Sequence, residues 1–183
     1  MHVWLRVAAW IDALNDRVGR GVAWLVVVMT AIGTYNAVVR YLGRYLGVRL
    51  SSNAYIEMQW YLYSLVFLLG AAYALQRNAH VRVDVFYARV SRRARAWINL
   101  LGTALFLVPF TALMLWLAWP SVRNSWAVRE VSPDPGGLAR YPIKTAILVA
   151  FVLLLLQGIA ELIKNVAILR GHAIETPEER EIV

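Results

Sequence analysis

Four long apolar stretches, at 21–40, 56–76, 96–119 and 143–169, alternate with short polar stretches rich in arginine. Each is near or above the ~20 residues a helix needs to cross hydrocarbon at ~1.5 Å per residue. The stretches are apolar on every side, whereas a spanning strand would be ~10 residues long with strict alternation. The pattern predicts an all-α integral membrane protein with four transmembrane helices. Ahead of the first stretch, Val3, Val7, Trp10, Ile11, Leu14 and Val18 share one helical face, and Arg6, Asp12, Asp16 and Arg17 fall largely elsewhere. Residues 1–19 are therefore expected to form an amphipathic helix in the membrane interface, with Trp4 and Trp10 as headgroup-level anchors. A plain extension of the first span is the alternative. The expected organisation is 1–19 as that helix, 20–170 as the four-helix membrane domain and 171–183 as a polar tail. Within the tail, Thr176-Pro177-Glu178-Glu179 has the form of a capping box with proline at the first helical position.

The connections carry their own signals. Between the second and third spans, Val81, Val83, Val85 and Phe86 interleave with Arg82, Asp84 and Arg89. With no second strand to pair with, this alternation predicts a short interfacial segment, apolar groups toward the acyl boundary and arginines toward phosphate. Pro109 lies inside the third stretch and predicts a kink, because it has no N–H to give the carbonyl of Leu105. Trp116, Trp119 and Trp126 mark one interface of that span and Trp97 the other. Ser132-Pro133-Asp134-Pro135-Gly136-Gly137 predicts turns rather than helix.

Composition agrees with a membrane protein: 60% of residues are hydrophobic and 16% charged, with mean hydropathy +0.54. The net charge of +8 sits in the connections, so it reads as topology and not as a nucleic-acid surface. The loop between spans two and three holds Arg77, Arg82, Arg89, Arg92, Arg93 and Arg95 against Asp84, which places it in the cytoplasm. Four spans then put both termini there as well. Asp12 and Asp16 interrupt any early apolar region, so the N-terminus is not read as a cleaved signal peptide.

Chemistry is scarce. There are no cysteines, which removes disulfides and thiolate catalysis. His2, His80 and His172 all lie outside the spans, so no buried pair of histidines can hold haem. No metal-ligand spacing, nucleophile–base arrangement or phosphate loop is present, and neither a cofactor nor an enzymatic activity is expected. What remains is a set of polar groups near span ends. Arg40 ends the first span and Glu57 starts the second. They either pair across the short loop, with Asn36 one turn before Arg40 extending the network, or both snorkel to water. On the fourth span Gln157, Glu161, Lys164 and Asn165 form one stripe, in which Glu161 and Lys164 can pair. Gly70 and Ala74 form a small-xxx-small pair suited to close helix contact.

Several runs resemble the small permease subunit, of DctQ type, of tripartite ATP-independent periplasmic (TRAP) transporters. They are Glu57-Met58-Gln59-Trp60-Tyr61-Leu62, Leu69-Gly70-Ala71-Ala72-Tyr73 and Asn78-Ala79-His80-Val81-Arg82-Val83-Asp84. Asn124-Ser125-Trp126, Glu130 to Leu138, Pro142-Ile143-Lys144 and Leu156 to Glu161 fit as well. The likeness covers nearly the whole chain, and the 132–137 loop resembles the branch associated with mannitol, chloroaromatic compounds or 2-oxo acids. The resemblance implies a multi-pass subunit of the bacterial inner membrane with both termini in the cytoplasm. It further implies a large membrane subunit that carries sodium and substrate as an elevator, and a periplasmic substrate-binding protein that delivers an organic acid. The small chain would scaffold the fixed part of the large one, in contact with membrane lipids. Arg40, Glu57, Gln59 and Trp60 would then hold helices or the partner, and His80, Arg82 and Asp84 the interfacial segment. The competing reading is a stand-alone proton-coupled transporter using Glu57 or Glu161. Against it, both carboxylates sit near span ends and no inverted repeat is visible.

Overall fold

The computed structural model describes residues 1–48, 52–79 and 90–172. The expectations for His80, Arg82 and Asp84, and for the capping box at 176–179, fall outside these residues. The described chain forms α1 (His2–Leu46), α2 (Asn53–Gln76), α3 (Arg92–Gly102), α4 (Val108–Ala127) and α5 (Tyr141–Leu169). α3 and α4 run on as one long helix through a five-residue π-helical segment, Thr103–Leu107. α1, α2, the joined α3–α4 and α5 are each long and apolar enough to cross a membrane. The all-α, four-span architecture expected from the sequence is the one observed.

The first correction concerns the N-terminus. Residues 2–46 are one uninterrupted helix of 45 residues, with no separate amphipathic helix ending at 19. At ~1.5 Å per residue it is about 67 Å long, roughly twice the ~30 Å hydrocarbon thickness. Its continuity follows from one buried seam at three- and four-residue spacing: Ala8, Ile11, Asn15, Gly19 and Val22, then Asn36 and Gly43. Ala8 and Ile11 pack with Leu156, Ala160 and Ile163 of α5. Of the apolar face expected at the start of the chain, only Ile11 is buried, while Val3, Val7 and Trp10 remain exposed. Gly47, at a φ of 68°, ends the helix in the left-handed conformation that glycine adopts without a Cβ clash.

α1 and α2 lie antiparallel and very close. A Cβ on Gly19 would overlap the ring of Tyr73, so only glycine permits this approach. Further along the pair, Gly33 faces the Gln59 side chain, and the rings of Tyr35 and Tyr55 meet edge-on at 5.3 Å. This corrects the expectation for Gly70: nothing else lies within 4 Å of where its Cβ would stand, and the tight approach is at Gly19. Ser52 and Ser91 cap α2 and α3, accepting from the amides of Ala54 and Ala94.

α5 is the most enclosed helix and packs on α1, α2, α3 and α4. Its buried residues are mostly small (Ala146, Ala150, Gly158, Ala160 and Ala167), which lets neighbours approach. A Cβ on Gly158 would stand 3.3 Å from Leu107, and Phe110 meets Phe151 edge-on at 6.3 Å. Pro109 is the second residue after the π-helical segment, where the changed hydrogen-bond register accommodates a residue with no N–H. The Thr111 hydroxyl lies 2.8 Å from the carbonyl of Leu107 and 3.0 Å from that of Val108. Pro120 also lies inside α4.

Candidate functional site: polar clamps at the two ends

At one end, the second turn of α2 presents Glu57, only 3% exposed. Its carboxylate accepts from the Ser132 hydroxyl and from the backbone amide of Leu138. Both belong to the connection between α4 and α5, which folds back on itself. Val131 and Ala139 form an antiparallel bridge, Ser132 N–H donates to Leu138 O at 3.0 Å, and Arg140 N–H donates to Glu130 O at 2.8 Å. The turn inside it is closed by Gly137 N–H donating to Asp134 O at 3.0 Å. A Cβ at Gly137 would stand 2.5 Å from Ser132 Cβ and 2.9 Å from Glu57 Oε1, so glycine is required for the carboxylate to reach Leu138. Two more bonds from α2 fasten the same connection: Asn53 Nδ2 donates to Pro135 O and the Tyr61 hydroxyl to Ala139 O, each at 3.1 Å. Glu130 pairs with Lys144 at the start of α5. That ammonium, with the Ser125 hydroxyl, holds the Glu130 carboxyl below the usual carboxylate range.

The partner of Glu57 is thus the 130–140 connection and not Arg40. The Tyr35–Tyr55 contact puts Glu57 level with the middle of α1's second half, and Arg40 lies more than a turn further along, exposed. Asn36 is buried, but its Oδ1 has no partner among the described residues and it does not join Arg40. Gln59 donates to the carbonyl of Tyr55 at 3.3 Å, and Trp60 stacks edge-on against Tyr61 at 4.3 Å.

At the other end, the stripe on α5 meets polar groups on α1. Asn15 Nδ2 donates to Gln157 Oε1 at 2.7 Å, and both side chains are essentially inaccessible. Gln157 Nε2 donates in turn to Asp12 at 2.9 Å and to Glu161 at 3.1 Å. Lys164 lies between the two carboxylates, 3.2 Å from Asp12 and paired with Glu161. One turn on, Asp16 bridges Arg20 at 2.6 Å and Arg77 at 2.7 Å, tying α1 to the end of α2. Arg77 also lies over the ring of Tyr73, 5.4 Å from its centre. Three carboxylates thus meet three cations, and the amides of Asn15 and Gln157 link helices across the seam.

The sequence pointed to Glu57, Gln157, Glu161 and Lys164, and all four are clamp residues. It did not point to Asn15, Asp12 as a partner, Ser132 or the Leu138 amide. Asn15 was findable, since it continues the seam four residues after Ile11. The Leu138 bond was not, because a backbone amide leaves no mark in a sequence. Among the described residues no group of three or more His, Cys, Asp or Glu could hold a metal ion.

Residues 29–167 match the family of DctQ components of tripartite ATP-independent periplasmic transporters. The chain belongs to the DctQ family. It is therefore a small membrane component of a TRAP transporter, a type of subunit that is not catalytic and works in general with a large permease subunit and a periplasmic binding protein. No curated protein and no solved structure matches it. Both ends of the Glu57 clamp fall inside the matched residues. The other clamp is divided: Gln157, Glu161 and Lys164 lie inside, whereas Asp12, Asn15 and Asp16 precede the match.

Proposed function

We propose that this DctQ subunit is a rigid scaffold for a large, elevator-type permease subunit in the bacterial inner membrane. The complex takes up an organic acid with sodium, and a periplasmic binding protein delivers that acid. The reading has both termini in the cytoplasm, following the arginine-rich 77–95 loop. The same sequence likeness favours a 2-oxo or hydroxy acid as substrate.

One observation carries the scaffold reading: the carboxylates that a transport role would need are already engaged. Glu57 is held by Ser132 and Leu138, and Glu161 by Lys164 and Gln157. Glu57 thereby ties α2 to the 130–140 connection, and the Gln157 and Lys164 that hold Glu161 also bond Asn15 and Asp12 of α1. A carrier that moves a proton needs a carboxylate free to exchange partners. The test is reconstitution. The purified chain alone should drive no uptake in liposomes, with or without a proton gradient. Uptake should return when the large subunit and the binding protein are added. Proton-driven transport by this chain alone would overturn the proposal in favour of the stand-alone carrier using Glu57 or Glu161.

A further inference from the structure

Facing contacts fix which parts of different helices share a level along the bundle, and the levels disagree with an upright placement. At the Arg77 end, Asp16 joins Arg77, and the neighbouring Asn15 bonds Gln157. The next residue, Gly158, lies against Leu107 and Val108. The charged end of α2 is thus level with the middle of the third apolar stretch. Beyond that level the π-helical segment and α3 still expose Leu105, Leu101, Ile98 and Trp97. Val108 to Trp97 is 11 residues, about 16 Å at the helical rise.

The Glu57 end shows the same offset in the same sense. Tyr61 bonds Ala139, and Trp126 packs on Tyr141 and bonds Thr145. Exposed Arg123, one turn inside Trp126, is therefore level with exposed Tyr63. On α2 the exposed apolar residues continue outward through Trp60, Met58 and Ile56 to Asn53. Tyr63 to Asn53 is 10 residues, about 15 Å at the helical rise.

We infer that the bundle lies obliquely in the bilayer, so that lipid covers α3 as far as Trp97 on one side and α2 as far as Asn53 on the other. α5 separates α2 from α4, and two interaxial steps of ~9 Å place their axes about 18 Å apart. An offset of about 15 Å across that width corresponds to a tilt near 40°, the upper end of the range for membrane helices. The tilt also reconciles lengths. Arg95 to Arg123 encloses 27 residues, about 40 Å of helix, which projects to about 31 Å at that angle and matches the hydrocarbon thickness. Upright, the same helix would force either Arg77 and Arg123 into hydrocarbon or the Trp97–Leu105 face into water, and each is costly.

The chain has no cysteine, so single labels can be read without background. Spin labels at Ile98→Cys and Leu101→Cys on α3, Met58→Cys on α2, and Ala79→Cys and Val128→Cys as aqueous references are placed in the full chain in liposomes. Collision with oxygen and with a water-soluble nickel chelate is then measured. The oblique placement predicts oxygen-rich, nickel-poor labels at 58, 98 and 101 and nickel-accessible labels at 79 and 128. Nickel access at 98 and 101 equal to that at 79 would mean an upright bundle and would overturn the inference. Low collision with both reagents at 98 and 101 would mean protein and not lipid covers this face, and would overturn it too. Should a variant fail to fold, quenching of native Trp97 by brominated lipid, read as the difference from Trp97→Phe, decides the same point. Strong quenching supports the tilt and none contradicts it.

Discussion

Replacing Gln157 with leucine keeps the volume of a side chain that is 0% exposed and removes all its hydrogen bonds. Two of these cross between helices, to Asn15 at 2.7 Å and to Asp12 at 2.9 Å. Interhelical bonds in membrane bundles contribute about 0.6 kcal/mol each on average, or about 1.2 kcal/mol together. Leucine also strands the Asn15 amide, which is buried and whose Oδ1 already has no partner. An unpaired buried polar group costs about 1–3 kcal/mol. Asp12 and Glu161 keep Lys164 and add little. The sum is about 2–4 kcal/mol of destabilisation for Gln157→Leu. Adding Asn15→Leu removes the stranded group, so the double variant should be no less stable than Gln157→Leu alone. The assay is reversible unfolding of the wild type, the two single variants and the double in mixed micelles, read as a double-mutant cycle. If the two substitutions add to within about 0.5 kcal/mol, or if Gln157→Leu is neutral, then the amide bridge does not hold α1 to α5.

Glu57→Ala should release the 130–140 connection, seen as faster proteolysis there and weaker assembly or uptake, with substrate preference unchanged. A changed substrate profile would count against a structural role. Gly137→Ala puts a methyl 2.5 Å from Ser132 Cβ, and overpacking of this kind costs about 1–3 kcal/mol. It should mimic Glu57→Ala in the same protease assay, and a wild-type cleavage rate would refute the close approach. Because Lys144 and Ser125 lower the Glu130 pKa in the folded chain, the Glu130–Lys144 pair stabilises above the ordinary carboxylate pKa. That contribution is lost as pH falls through the lowered value. Protection of the connection in hydrogen exchange should fall as pH drops below the ordinary carboxylate range, and Lys144→Met should weaken that dependence.

The spans were legible because a continuous apolar run of ~20 residues has few other uses. The division at residue 19 was misleading for a physical reason. Val3, Val7 and Trp10 do form an apolar face, but apolarity in a membrane protein marks the lipid side as readily as the packed side. The packed seam instead uses Ala8, Asn15 and Gly19, small or polar residues that a hydrophobicity pattern passes over. Glu57 was recognised as a group that needs a partner, and charge offered only Arg40, with release to water as the alternative. A carboxylate is satisfied equally by a hydroxyl and a backbone amide, and the partners found are 75 and 81 residues away in sequence. On α5, the Glu161–Lys164 pairing was readable from three-residue spacing, because helix geometry alone decides it. Asp12 and Asn15 joined only once α1 was seen to run straight past residue 19.

The claim at the centre of this account is that the chain acts only as part of a larger transporter, holding another subunit rather than moving solute. Purification of the tagged chain from its native membrane, followed by identification of what comes with it, tests this most directly. A much larger polytopic membrane protein should copurify in stoichiometric amount, and Glu57→Ala should reduce or abolish its recovery. Recovery of the chain alone, together with solute or proton flux through it in liposomes, would contradict it.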